Sequence, residues 1–141
     1  MRAMLFVPWL VLSSAAVAQA QTGPCTEAAI KQGNLPQADD AYSYMPPYGK
    51  PVIGKPATQA ANRNSFSNRT NITRAWLGDH RIVTNASGDM GYESGTMRMG
   101  YTEDGKRTEF EAVMLTVYKA KGNVCQVAAL TMQPLEDEPA R

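Results

Sequence analysis

The second half of the chain is a succession of segments in which apolar and polar residues alternate, and this period of two most constrains the fold. The segments lie at 72–77, 80–85, 89–101, 107–120 and 123–134. Such alternation is typical of β-strands with one buried face. Asp104-Gly105 and Gly122-Asn123 separate the last three segments, and both dipeptides favour the tight turns of β-hairpins. The sequence therefore predicts an antiparallel meander.

Two short helices are predicted before the meander. In 25–33, Thr26 is a candidate N-cap and Gly33 is a stop signal. In 55–68, Pro56 stands at the first helical turn of an alanine-containing stretch. Segments 41–45 and 51–54 are strand-like. Helices followed by a run of antiparallel strands indicate an α+β fold, with short N-terminal helices packed on one face of a curved antiparallel sheet.

The first twenty residues are predicted to be a cleaved signal peptide, 1–20. Arg2 precedes an apolar run, and Ala18-Gln19-Ala20 supplies a small-residue cleavage site. The apolar run is shorter than the roughly 20 residues that cross a bilayer. We therefore expect a secreted or periplasmic protein with no membrane association after cleavage, one domain over 21–134, and a flexible charged tail over 135–141.

The charge balance argues against nucleic acid as a partner. The chain has 14 lysines and arginines and 13 acidic residues, and loss of Arg2 with the leader makes the two counts equal. Nucleic-acid-binding domains usually carry a basic excess or stripe. The nearest approach to one is Arg63, Arg69 and Arg74, which lie in a polar segment and are interpreted as a solvated surface.

The chain has two cysteines, Cys25 and Cys125, and one histidine, His80. In an exported protein an even pair of cysteines is more often bonded than free. A reactive thiol would need a nearby base, and a metal site would need more ligands than one histidine adds. A disulfide is therefore favoured over these two alternatives, and no metal or other cofactor is expected. His80 begins a predicted strand and is interpreted as a surface residue.

Three segments resemble the nuclear transport factor 2-like, or SnoaL-like, domains, which are related to the steroid isomerases. "ADDAYSYMPPYGKPVIGKPATQA" (38–60) resembles their opening segment, "ASGDMGYESGTMRM" (86–99) their central strand, and "FEAVMLTVYKAKGNVCQVAALTMQP" (110–134) their closing hairpin. The resemblance implies a cone in which a strongly bent sheet wraps around helices and leaves a pocket at its open end. Its members include isomerases, cyclases, dehydratases, ligand-binding domains and scaffolds, so the function depends on the site.

The chain departs from the family pattern in two places. The first helical region is shorter than usual, and Val124-Cys125 stands where the closing strand usually begins with tryptophan. A disulfide from Cys25 to Cys125 would tie the short first helix to the sheet.

Relatives among the steroid isomerases use a carboxylate base and a tyrosine that binds the oxyanion. Candidates for such catalytic roles here are Asp40, Tyr44 and Glu109. Neighbouring residues of a strand point to opposite faces, so Asp39 and Asp40 are assigned instead to turn and cap hydrogen bonding. Glu109 and Glu111 share a strand face, but such a pair is more often solvated.

The predicted pocket lining comes from the central strands. Tyr92, Ser94 and Arg98 share one face of the strand at 89–101. Methionines are concentrated in the predicted sheet, and their flexible thioethers suit an adaptable apolar pocket. The predicted ligand-binding residues are Tyr42, Tyr92, Arg98, Met114 and Tyr118.

These features favour an exported domain that binds a small apolar or amphipathic molecule. The alternatives are an isomerase or lyase that uses a carboxylate base and a tyrosine, and a non-catalytic interaction or scaffold domain. The strand at 107–120 carries apolar residues on both faces. This pattern is expected when one face lines a pocket and the other packs in a homodimer.

Overall fold

The computed structural model describes residues 22–45 and 50–135, so the predicted signal peptide and most of the predicted tail lie outside the described residues. Within them the chain forms an α+β fold. The helices are α1 (Glu27–Gln32) and α2 (Lys55–Phe66), and the strands are β1 (Gln37–Tyr44), β2 (Val52–Ile53), β3 (Arg69–Trp76), β4 (Arg81–Thr84), β5 (Met90–Glu103), β6 (Lys106–Lys121) and β7 (Val124–Pro134).

The strands form one mixed sheet with open edges. Their order is β2-β1-β7-β6-β5-β3, and β4 also pairs with β5. The pairs from β3 to β7 are antiparallel, but β1 runs parallel to β7. The prediction of a wholly antiparallel sheet is therefore wrong at this pair. The whole meander separates β1 from β7 along the chain, and no local pattern specifies that the two strands meet.

Two tight turns set the register of the three longest strands. Asp104-Gly105 closes the β5–β6 hairpin, and its residues have φ values of 50° and 75°. Gly122-Asn123 closes the β6–β7 hairpin, and Gly122 has a φ of 59°. Turns with positive φ at these positions match the right-handed twist of the paired strands. The predicted hairpin turns are confirmed.

The helices do not form a single N-terminal layer. Only α1 precedes the sheet in the described part of the chain, whereas α2 lies between β2 and β3. α1 packs near β4, and α2 packs against β1, β2 and β3. No helix among the described residues is long and apolar enough to cross a bilayer.

One face of the central strands carries their buried side chains, and we call it the inner face. In β6 these are Ala112, Thr116 and Tyr118, and in β5 they are Met97 and Met99. Two clusters lie on this face. The disulfide cluster consists of Cys25, Ile30, Tyr118 and Cys125. The methionine cluster consists of Met97, Met99, Ala112 and Met132.

Cys25 and Cys125 are joined by a disulfide, so this prediction is confirmed. Their Cα atoms lie 4.9 Å apart, and the bond links residues separated by 100 positions in the sequence. Cys25 lies directly before α1, whose N-cap Thr26 accepts a hydrogen bond from the backbone N–H of Ala29. Ile30, on the next turn, is buried against the disulfide. The bond therefore fixes this short helix to the start of β7.

We expect removal of the disulfide to lower the free energy of unfolding by about 2–5 kcal/mol, because a closed loop of this length restricts the unfolded chain. The measurement is urea denaturation of the double variant Cys25→Ser, Cys125→Ser, followed by circular dichroism. Wild-type protein with a reducing agent is the control that removes the bond without changing a side chain. An unchanged midpoint in both samples would contradict the expectation.

Candidate functional site

A cavity of about 550 Å³ lies between α2 and the inner face of the sheet. A cavity of this volume with a mainly apolar lining is typical of sites for small molecules. The apolar part of the lining includes Met45, Phe66, Met99, Phe110, Met114 and Met132.

The alternation of side chains along the strands explains which residues reach the cavity. Met99 of β5 stands opposite Phe110 of β6, and Met114 of β6 stands opposite Met132 of β7. Because residues two apart share a face, these side chains all project from the inner face. α2 adds the facing wall with Asn62 and with Ser65-Phe66, which lie three and four positions further on.

The polar groups of the cavity are hydroxyls, amides and guanidinium groups. They belong to Ser43, Ser65, Thr108, Tyr101, Gln37, Asn62, Arg69 and Arg74. The side-chain oxygen of Gln37 is buried and has no hydrogen-bond partner among the described residues. The described lining residues include no carboxylate and no imidazole. In the same part of the chain, no group of His, Cys, Asp or Glu side chains is arranged to hold a metal ion.

Arg69 is held at the cavity by two aromatic rings. Its guanidinium carbon lies 4.1 Å from the ring centroid of Tyr101 and 5.9 Å from that of Phe66. Cation–π contacts of this kind are attractive. The Arg69 side chain is only 17% exposed, so the interpretation of this arginine as solvated is wrong. The reason is that β3 begins at Arg69, earlier than predicted, and carries the side chain into the sheet.

A second group of polar side chains lies on the inner face beside the disulfide cluster. Nε2 of His80 lies 2.9 Å from Oε1 of Glu93, and the hydroxyl of Tyr118 donates to Oε2 of Glu93 over 2.8 Å. The His80 ring stacks on Trp76 with centroids 4.2 Å apart. Because the His80 side chain is 26% exposed and contacts Glu93, its interpretation as a surface residue is wrong. Burial, reinforced by the Glu93 carboxylate, raises the pKa of Tyr118 well above its usual value.

The turn before β4 is pressed onto β5, and this contact positions His80. The carboxylate of Asp79 accepts hydrogen bonds from the backbone N–H and the hydroxyl of Thr96, both over 2.8 Å. These hydrogen bonds lower the pKa of Asp79. A Cβ atom at Gly95 would lie 2.8 Å from the Cα atom of His80, so a larger residue does not fit there without a shift of the backbone.

The structure places the predicted catalytic candidates outside the cavity lining. Asp40 accepts hydrogen bonds from Nζ of Lys119 over 2.7 and 2.8 Å, and this contact lowers the pKa of Asp40. Glu109 forms an ion pair with Arg107 at 3.1 Å. Tyr44 is exposed at the end of β1.

The assignment of Asp39 and Asp40 to a turn and cap is also wrong. Both residues lie within β1, which begins earlier than predicted. Asp39 accepts a hydrogen bond from Nζ of Lys121 over 2.8 Å, which lowers the pKa of Asp39. The register of β1 shifts between Gln37 and Tyr42, and both carboxylates reach lysines of β6.

Of the predicted ligand-binding residues, Met114 lines the cavity. Tyr92 and Arg98 lie on the face of β5 opposite to its buried methionines, Tyr42 is exposed, and Tyr118 belongs to the disulfide cluster. The face assigned to β5 from the sequence is therefore wrong. Inner positions 91 and 95 of β5 are glycines and position 93 is a glutamate, so its apolar alternation is weak there.

Sequence reasoning missed Phe66, Arg69 and Tyr101 as cavity residues. Two signals pointed to them. Tyr101 continues the alternation of Met97 and Met99, which places it on the same face. Phe66 and Arg69 flank the junction between α2 and β3, where a helix must approach the sheet that it covers.

No protein family profile matches the chain, and no curated protein sequence matches it significantly. Solved structures nevertheless share its fold. A proposed dehydratase of the nuclear transport factor 2-like family from Streptomyces avermitilis has a TM-score of 0.60 at 13% identity, over 71% of each chain. A ketosteroid isomerase-like protein from Erwinia carotovora atroseptica has a TM-score of 0.59 at 14% identity, over 78% of this chain and 81% of that chain.

A proposed calcium/calmodulin dependent protein kinase II association domain from Xanthomonas campestris has a TM-score of 0.63 at 9% identity. The match covers 94% of this chain and 98% of that chain. These similarities confirm the fold implied by the three resembling segments. At such low identities they concern the fold alone.

We expect Tyr118→Phe to lower the free energy of unfolding by about 1–3 kcal/mol, because the partly buried carboxylate of Glu93 loses a hydrogen bond. Tyr44→Phe is the matched control, since Tyr44 is exposed, and it should change the free energy by less than about 0.5 kcal/mol. Urea denaturation at neutral pH measures both. Equal losses in the free energy of unfolding for the two variants would contradict a stabilising role of the hydrogen bond from Tyr118 to Glu93.

The difference in the free energy of unfolding between wild type and Tyr118→Phe is expected to depend on pH. The pKa of Tyr118 is raised on folding, so the folded protein keeps the phenol proton when tyrosines of the unfolded chain ionise near about pH 10. Stability from this group is fully present below that pH and is lost as the pH rises towards the folded pKa. The free-energy difference between wild type and Tyr118→Phe should therefore shrink above pH ~10. A constant difference would contradict the raised pKa.

Proposed function

We propose that this chain, which has the nuclear transport factor 2-like cone fold, binds a small apolar or amphipathic molecule between α2 and the inner face of the sheet. The observation that carries the proposal is the cavity of about 550 Å³ with its apolar lining and few polar groups. Sites of this kind bury most of a small ligand, and a few polar groups then fix its orientation.

The methionines of the lining support adaptable recognition. Met45, Met99, Met114 and Met132 contribute unbranched thioether side chains to the cavity. Such side chains change conformation at low cost and contact aromatic groups favourably. We infer that the shape of the apolar body is selected loosely and that the polar groups supply most of the discrimination.

An isomerase or lyase is the second proposal. It is supported by the contact of a carboxylate with a tyrosine, Glu93 with Tyr118. Proton transfer requires the base within hydrogen-bond reach of the ligand, but these two residues are not part of the cavity lining. Binding is therefore the favoured function. An enzyme would lose turnover in a folded Glu93→Gln variant, whereas ligand binding in the cavity would persist.

Export is proposed from two observations. The leader pattern ends in the small-residue site Ala18-Gln19-Ala20, and disulfides such as Cys25–Cys125 persist in oxidising compartments. Mass spectrometry of protein recovered outside the cytoplasm should give a chain that begins at Gln21.

Occupation of the cavity is tested with the neutral fluorescent probe N-phenyl-1-naphthylamine. We expect the probe to bind wild-type protein with increased fluorescence, and Ser65→Trp to abolish binding because the indole fills the cavity next to α2. Asn64→Trp is the matched control, since Asn64 is exposed on the same helix and outside the lining. Equal binding by both variants would contradict the proposed site.

The outer face of the sheet is proposed as a homodimer surface, which a scaffold function would also use. Val113 and Leu115 of β6 are 46% and 40% exposed. The ion pair of Arg98 with Glu111 lies beside them. In a symmetric dimer, this apolar strip can pack on the same strip of a second copy, and the positive and negative side chains beside it can face their opposites.

We expect wild-type protein to be dimeric in light scattering after size-exclusion chromatography, and Leu115→Glu to be monomeric because it places a charge in the apolar strip. Ile53→Glu is the control, since Ile53 is exposed on the short strand β2 at the sheet edge. A monomeric wild type would overturn this arrangement.

A further inference from the structure

Two arginines of the cavity lining converge on one aromatic ring. The guanidinium carbons of Arg69 and Arg74 each lie 5.9 Å from the ring centroid of Phe66. Phe66 ends α2, and both arginines belong to β3, so both cations lie near the junction of the helix with the sheet. Both side chains line the same cavity, so a small molecule that fills it can contact both.

Arg74 is exposed to solvent, whereas the charge of Arg69 is largely buried and incompletely neutralised by protein groups. Nε of Arg69 lies 3.5 Å from Oε1 of Glu103, which is an ion-pair distance, but Nε is buried and makes no hydrogen bond. Arg74 forms no ion pair with any residue in the described ranges. A buried donor without a partner is costly, and an acceptor atom on a ligand would satisfy it.

We propose that the ligand of the cavity is an apolar monoanion, a carboxylate or a sulfonate, whose charged group binds Arg69 and Arg74. The proposal rests on the function proposed above, that the cavity binds a small molecule. Guanidinium groups suit planar or multi-oxygen anions because they donate several parallel hydrogen bonds. The apolar body of the ligand packs against the lining methionines and Phe110.

The aromatic contacts of Arg69 make the site suited to this role. The Tyr101 ring, 4.1 Å from the guanidinium carbon, restricts the position of the side chain before any ligand arrives. A group that is already ordered loses less conformational entropy on binding. No carboxylate belongs to the described lining, but Oε1 of Glu103 lies 3.5 Å from Nε of Arg69 and competes with the anion for that guanidinium group.

Two fluorescent probes with the same aromatic body test the inference. 8-Anilinonaphthalene-1-sulfonate carries a sulfonate, and N-phenyl-1-naphthylamine is its neutral counterpart. We expect Arg69→Gln and Arg74→Gln each to weaken sulfonate binding about tenfold or more, because each removes a charged donor. The affinity for the neutral probe should change less than about twofold, because the apolar lining is intact.

Arg63→Gln is the matched control, since Arg63 is an exposed arginine of α2 outside the lining, and it should change neither affinity. Binding of the neutral probe also reports whether each variant is folded.

If Arg69→Gln fails to fold, the sulfonate affinities of Arg74→Gln and of the conservative variant Arg69→Lys test the anion inference instead. Unchanged sulfonate affinity in the folded arginine variants, or equal weakening of both probes, overturns the anion inference and leaves the cavity as a neutral site. Failure of both probes to bind wild type overturns the proposed function itself.

Discussion

The pairing of β5 with β6 is the constraint on which the rest of the molecule depends. The two strands stay in register from Met90 opposite Lys119 to Glu103 opposite Lys106 without a bulge. Side chains alternate between faces, so this register decides at once which residues point inward along both strands. A slip of one residue would exchange the inner and outer sets completely. The tight turn at Asp104-Gly105 prevents such a slip by fixing where the two strands begin to pair.

This register divides the inner face into two regions with different chemistry. At one end, Glu93 and Tyr118 meet beside the disulfide, and the region is closed by α1. At the other end, Met99 and Phe110 face α2 across the cavity. Among the described residues, the buried side chains of the closed end are Cys25, Ile30, Tyr118 and Cys125. A small core of this kind gains much from a covalent link between distant parts of the chain.

The sequence predicted the parts of the fold that local chemistry determines. Asp104-Gly105 and Gly122-Asn123 specify hairpins by their own backbone preferences. The disulfide was predicted from the presence of two cysteines in a chain expected to be exported. The parallel contact of β1 with β7 has no local signature. The inward face of β5 was also hidden, because Gly95 makes room for His80 instead of contributing an apolar side chain. The candidate site was predicted only at Met114, since the other cavity residues depend on where α2 meets the sheet.

The position of β1 beside β7 has a consequence for the order in which the chain becomes structured. β1 is among the first strands to be made, and its longer partner is the last strand of the sheet. The β5–β6–β7 meander is assembled from neighbours in sequence. By contrast, β1 pairs with residues 87 to 90 positions further on, and Cys25 bonds to a cysteine 100 positions away. Contacts of such long range are slow to form. Until β7 has been synthesised, β1 and the thiol of Cys25 therefore lack their partners, and a chaperone or thiol oxidant has its longest opportunity to act on this end of the chain.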